Sequence, residues 1–172
     1  MPATIGIAAL VPTIVGFIWY HPKVFGTAWM ASAGLTKETA MQGFNMPLVM
    51  GLSLFFSAML SFSLTSVVIH QYGFFSMMFD ADSQRQLADH SSSLYTHAKA
   101  FYDIEGTNFR TFKHGALHGG ILAVFTILPI IATSAMFERK GFKYIAINAG
   151  YWFVSLILMG AIICHFMPAK QF

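Results

Sequence analysis

Seven histidines are the residues of this chain best equipped for chemistry, because its 172 residues include only seven carboxylate side chains and one cysteine. His114 and His118 stand four apart, so a helix would put both imidazoles on one face. His70 and His165 close two other apolar stretches, and an up-and-down chain brings those ends to the same side as His114. His90 and His97 belong to that side too, and only His21 lies opposite. Three imidazoles gathered there could hold a zinc ion or a haem, or relay protons near neutral pH. The expected metal ligands are His114 and His118, completed by His70 or His165. Histidine is equally at home at a lipid interface, half buried with its nitrogens reaching water. The pair also lacks the glutamate of the metalloprotease pattern, since Gly115-Ala116-Leu117 separates the two rings. The sequence therefore demands no cofactor.

No other enzyme constellation stands out. The apolar stretches hold no paired carboxylates, and we find neither a phosphate-binding glycine loop nor a nucleophile elbow. Cys164 precedes His165 directly, but adjacent helical residues point apart, so it reads as a small apolar residue. A single cysteine allows no intrachain disulfide.

The elements that position these histidines follow from composition. Hydrophobic residues make up 56% of the chain and charged residues 10%. A soluble domain needs about 25% charged residues to cover its surface, so lipid is the solvent expected here. The net charge of +3 is spread out, with no basic tract to suggest nucleic acid. A bilayer core of about 30 Å takes roughly 20 apolar residues in helical form. Four stretches qualify: residues 3–20, 46–69, 115–137 and 144–166. None contains Asp, Glu, Lys or Arg, each of which costs about 2.5–3.5 kcal/mol at the bilayer centre. The expected fold is all-α, a single transmembrane domain of four helices in a bundle. The first stretch reads as a retained helix. Met1 to Thr4 carries no positive charge, and the small-residue pattern Ala31-Ser32-Ala33 lies too far beyond it for a cleaved leader.

Trp19, Tyr20 and Tyr144 mark interfacial belts. Asn45 is placed to cap the second helix, with Pro47 in its first turn. Glu138 to Gly141 makes a tight turn, so the third and fourth spans form an antiparallel hairpin. Two connections are longer. The first predicts a short interfacial helix near Thr36 to Gly43. The second, residues 70–114, carries a capping-box pattern at Ser83 and Gln86 and charge pairs Arg85–Asp89 and Lys99–Asp103. It predicts one amphipathic helix from about Gln84 to Ile104.

Close contact between helices in lipid needs small residues. Ser53, Ser57, Ser61 and Thr65 recur every four residues in the second span, as do Gly115, Gly119 and Ala123 in the third. Asn148, Ser155 and Gly160 supply the fourth. Packing is the expected use of the hydroxyl ridge, with a polar pathway the alternative. Pro12 and Pro129 should kink the two spans that hold them. Lys23 and Phe25 follow Pro12 at the same distances as Lys140 and Phe142 follow Pro129, which suggests a duplicated hairpin.

The run GFIWYHPKVFGTAWMASAG, with Gly16, Trp19, Tyr20, Pro22, Phe25, Gly26, Trp29 and Gly34, resembles the opening signature of the bacterial membrane family called domain of unknown function 1761. HGALHGG (His114 to Gly120) and NAGYW (Asn148 to Trp152) resemble its later stretches. The long second loop, Ser76 to Gly106, is larger than the family pattern. The resemblance implies a four-span inner-membrane protein and no particular reaction. On physical grounds the first run is an anchor: Pro22 stops the helix, and Phe25 and Trp29 share an apolar face suited to the membrane surface.

Three functions are compatible with this reading. The first is an accessory or structural subunit that packs against other membrane proteins or a second copy. The second is a small-solute transporter or channel. The third is a metal- or haem-binding membrane protein. Lys and Arg divide evenly, with Lys23, Lys37, Arg139, Lys140 and Lys143 on one side and Arg85, Lys99, Arg110, Lys113 and Lys170 on the other. The first set sits in shorter loops, which favours both termini outside the cytoplasm.

Overall fold

The computed structural model describes residues 2–40 and 42–168. Met1 and Lys170, which bear on the leader and on the charge balance, lie outside the described residues. Among the described residues, four helical segments are long and apolar enough to cross a bilayer: Pro2–Trp19, Met46–Val68, Phe112–Phe137 and Phe142–Phe166. They agree with the expected spans to within three residues at each end. Their outer surfaces carry Phe17, Phe62, Phe125 and Phe137, each at least 67% exposed. A monomer in water does not show so much apolar surface, and hydrocarbon accommodates it.

The first span, α1 (Pro2–Trp19), runs unbroken through Pro12. A π-helical turn at Pro22–Gly26 follows, opened by His21, whose Nδ1 accepts from the Lys23 N–H at 3.2 Å. Then comes α2 (Thr27–Ala33), closed by Gly34 in the left-handed region at φ 78°. Pro22 thus ends α1 but starts a new turn, since its missing N–H costs nothing there. Phe25 and Trp29 do not lie out along the surface as one face. Phe25 folds back on Trp19 with ring centroids 4.6 Å apart, and Trp29 packs edge-on against Tyr20 at 5.3 Å. The helix expected at Thr36 to Gly43 is reduced to α3 (Lys37–Ala40), and Met41 within that range is not described.

The second span, α4 (Met46–Val68), is capped as expected: the Asn45 carboxamide oxygen accepts from the Leu48 N–H at 3.1 Å. The fourth span, α10 (Phe142–Phe166), is the centre of the bundle. It buries 44% of its apolar window, more than any of the other three. Trp19 Nε1 donates to the Ile147 carbonyl at 3.0 Å near one end of α10, and the Thr4 hydroxyl donates to the Phe166 carbonyl at 3.3 Å near the other. These bonds fix α1 antiparallel to α10. Leu64, Leu156, Met159 and Ile163 are fully buried where α4 and α10 meet. Ser57, Ser61 and Thr65 are buried as well, so most of the hydroxyl ridge is packing surface, whereas Ser53 is exposed.

The extramembrane segment departs from expectation. In place of one helix from Gln84 to Ile104 there are two, α6 (Ala81–Ala88) and α7 (Ser93–Glu105), and a further short helix, α5 (Gln71–Ser76), precedes them. The Asp89 carboxylate accepts from both the N–H and the hydroxyl of Ser91, and Ser92 caps α7 through the Tyr95 N–H. Such local bonds compete with helix continuation. Asp80, not Ser83, caps α6. Arg85 pairs with Asp82 instead of Asp89, while the Lys99–Asp103 pair forms as expected at 2.6 Å.

The Asp80 cap has a pH consequence. Its carboxyl is held below the usual range, first by the Ser83 hydroxyl and then by the Ser83 N–H. A carboxyl lowered on folding stabilises above its unfolded value of about 3.9, and that contribution is lost as pH falls through the folded value. The protection factors of the Asp82 and Ser83 amides, taken against the intrinsic exchange rate at each pH, should therefore hold from pH 7 down to about pH 4 and fall below it. Protection that is flat down to pH 2 would contradict the cap.

Candidate functional site

The third span is built from α8 (Phe112–Leu122), a π-helical turn at Ala123–Ile127, and α9 (Leu128–Phe137). Thr111 caps α8, its hydroxyl accepting from the His114 N–H at 3.2 Å. This places His114 in the first turn and His118 one turn deeper. Gly115 and Gly119, on the neighbouring stripe, press against Gly160 and Leu156 of α10. The α8 face that carries the two rings is therefore fixed by backbone-to-backbone contact.

His70 reaches the same point from α4. It follows Ile69, which is 1% exposed, and it opens α5. The ring centroids of His70, His114 and His118 lie 4.4 to 4.9 Å apart. His70 Nε2 and His114 Nε2 are 2.9 Å apart, so one ring donates and the other presents a lone pair. One ligand atom from each of the three rings falls within 4.8 Å of the others. Three nitrogens around tetrahedral zinc stand roughly 3.4 Å apart, given Zn–N bonds of about 2.0–2.1 Å. The widest of the observed separations, up to 4.8 Å, exceeds that spacing.

The other expected residues go elsewhere. His165 is exposed at the end of α10, its ring against Phe166 at 4.6 Å, and it is not part of the three-histidine group. His90 stacks on Tyr95, and His97 bonds the Ser93 hydroxyl. The triad thus takes His70, the first of the two alternatives, as its third member.

The structure adds residues that the sequence did not single out. Phe109, at φ 60°, is a non-glycine in the left-handed region, and its ring lies 5.2 Å from His114 and 6.4 Å from His70. Strain of this kind concentrates at functional sites. Beside His70 a cavity of about 170 Å³ is lined by Phe74, Phe101, Glu105, Asn108 and Phe109. Gln71 Nε2 donates to the carbonyls of Glu105 and Asn108 at 2.8 and 3.0 Å, closing the loop over it. No spacing rule signals these long-range bonds.

Residues 3–164, nearly the whole chain, match the profile of the family described as Protein of unknown function (DUF1761). The chain belongs to this family. No curated protein and no solved structure matches it. For a DUF1761 protein, then, function has to be argued from the molecule itself.

A second feature of this DUF1761 chain concerns the far half of the third span. It is the most peripheral of the four, with 11% of its apolar window buried. Thr126, Thr133 and Ser134 are exposed on it, with no side-chain hydrogen bond among the described residues. Pro129 has no N–H to give, so a carbonyl of the preceding turn loses its helical donor. Just before Pro129, where a kink is expected, the helix leaves α geometry for the π-helical turn, and the Leu128 N–H bonds the Ala123 carbonyl five residues back. Unmet polar groups on a lipid-facing helix are costly, because hydrocarbon offers them no partner.

Proposed function

We propose that this protein is an accessory subunit of an inner-membrane assembly. It receives another transmembrane helix on the outer face of its third span. The observation that carries this reading is the set of exposed, unbonded hydroxyls at Thr126, Thr133 and Ser134 beside a proline-broken turn. Interhelical hydrogen bonds from serine and threonine are ordinary glue between membrane helices. Thr126 and Thr133 are seven residues apart, two helical turns, so one partner helix meets both. The short basic loops support an orientation with both termini outside the cytoplasm, which puts the histidine triad on the outer side.

The test is crosslinking in native membranes from a cysteine at position 133, in a Cys164→Ala background, combined with native electrophoresis in mild detergent. The expected outcome is a discrete adduct and a species heavier than the lone chain. A cysteine at the buried Ala135 should give no adduct. A chain that migrates alone and yields no adduct from position 133 rules the reading out.

A further inference from the structure

We propose that His70, His114 and His118 form a binding site for a late first-row divalent metal ion, with zinc as the reference. The site is independent of the docking face on the third span. Three lines support it. The ligand atoms already converge within 4.8 Å. The 2.9 Å contact between His70 and His114 requires an unprotonated ring nitrogen directed at its neighbour, which is the form a metal takes. The group holds no carboxylate among the described residues, so its donors are imidazoles alone, a set suited to late first-row metals. An ion would replace the single hydrogen bond with three metal–nitrogen bonds once the donating ring presents a lone pair in place of its N–H.

The scaffold matches what a preformed site needs. His114 and His118 project from one helix whose packing against α10 is backbone on backbone. His70 follows a buried residue at the end of a second span. Ligands carried by rigid elements hold their geometry better than ligands on loops. His70 is exposed, which gives an ion an entry path. Three imidazoles leave one tetrahedral position for water or a further ligand, the arrangement of open rather than purely structural zinc sites. Imidazole donors favour zinc, copper and nickel over magnesium or calcium, which take oxygen.

The experiment uses the full chain, purified in detergent and stripped with a chelator. It is then titrated with Zn²⁺, and with Co²⁺ as a spectroscopic reporter. We expect saturation near one equivalent with a dissociation constant below ~1 µM, and cobalt absorption of the tetrahedral type. His70→Ala and His118→Gln should each weaken binding by at least ~100-fold, while His90→Ala and His165→Ala leave it unchanged. His70 is exposed at a helix end, so its variant keeps the test valid should substitutions within α8 prevent folding. Mg²⁺ should not compete. The proposal fails with no saturable binding, with undiminished affinity in His70→Ala, or with equal loss in His165→Ala.

Discussion

Replacing Gly119 with alanine should destabilise the bundle sharply, while the same change at Gly120 should be tolerated. A Cβ at position 119 would fall closer than 3.0 Å to the carbonyl of Leu156, a backbone atom that cannot rotate away. The only relief is to separate α8 from α10. A Cβ at position 120 would meet Ile157 Cγ1 at 3.5 Å, an ordinary van der Waals distance to a movable side chain. Overpacking of the first kind costs about 1–3 kcal/mol and occasionally more. For a chain of this size that lowers the unfolding midpoint by roughly 2–12 °C. Gly115 is equally tight, because its Cβ would approach the Gly160 carbonyl, and a Cβ at 160 would approach the Gly115 carbonyl in return. Thermal unfolding of the Gly119→Ala and Gly120→Ala variants in the same detergent compares the two directly. Equal midpoints would mean that α8 and α10 do not meet backbone to backbone.

That interface is legible in the sequence, because small residues four apart on an apolar helix have few other uses. The spans are legible for a similar reason: twenty residues without a charge leave little choice of solvent. What escapes the sequence is decided by local bonds of comparable strength. The apolar spacing from Leu87 to Phe101 suits one long helix, but Asp89, Ser91 and Ser92 satisfy one another's backbone and start a second helix instead. Asp89 still caps the first of these helices through the Arg85 carbonyl, but its backbone is extended and its carboxylate is taken by Ser91, so Asp82 takes the pair. The candidate site shows the same division. His114 and His118 share a face by periodicity alone. The choice between His70 and His165 depends on how two span ends sit around α8, and no pattern along the chain encodes that. Phe109 and Gln71 give no signal because their partners lie in distant segments.

Arg110 should prove to be the clasp of the extramembrane segment, and its loss should free that segment without dissolving the bundle. Its Nε donates to the Cys164 carbonyl at 3.0 Å, and its Nη2 donates to the Met167 carbonyl. Both carbonyls are in the last turn of α10 or just past it, where a helix has no donors of its own and its dipole favours a cation. The bonds tie the residue just before Thr111, the α8 cap, to the central helix. The Cys164 thiol, 3.3 Å from the carbonyls of both Val68 and Phe109, reinforces the same junction. Each hydrogen bond from a charged group is worth about 1.5–3 kcal/mol, so Arg110→Gln should cost about 3 kcal/mol. Arg110→Lys should recover only part of that, because a point charge cannot reproduce the two-pronged fork. The segment from Gln71 to Phe109 should then be cut by added protease at least ~10-fold faster, with the spans still protected. Arg85→Gln is the control: its partner Asp82 is exposed, and surface pairs of that kind contribute little. Equal cleavage rates for Arg110→Gln and Arg85→Gln would show that the cap is held by other contacts. Faster cleavage confined to residues 71–109 would show that one guanidinium joins the histidine-bearing end of the bundle to the loop above it.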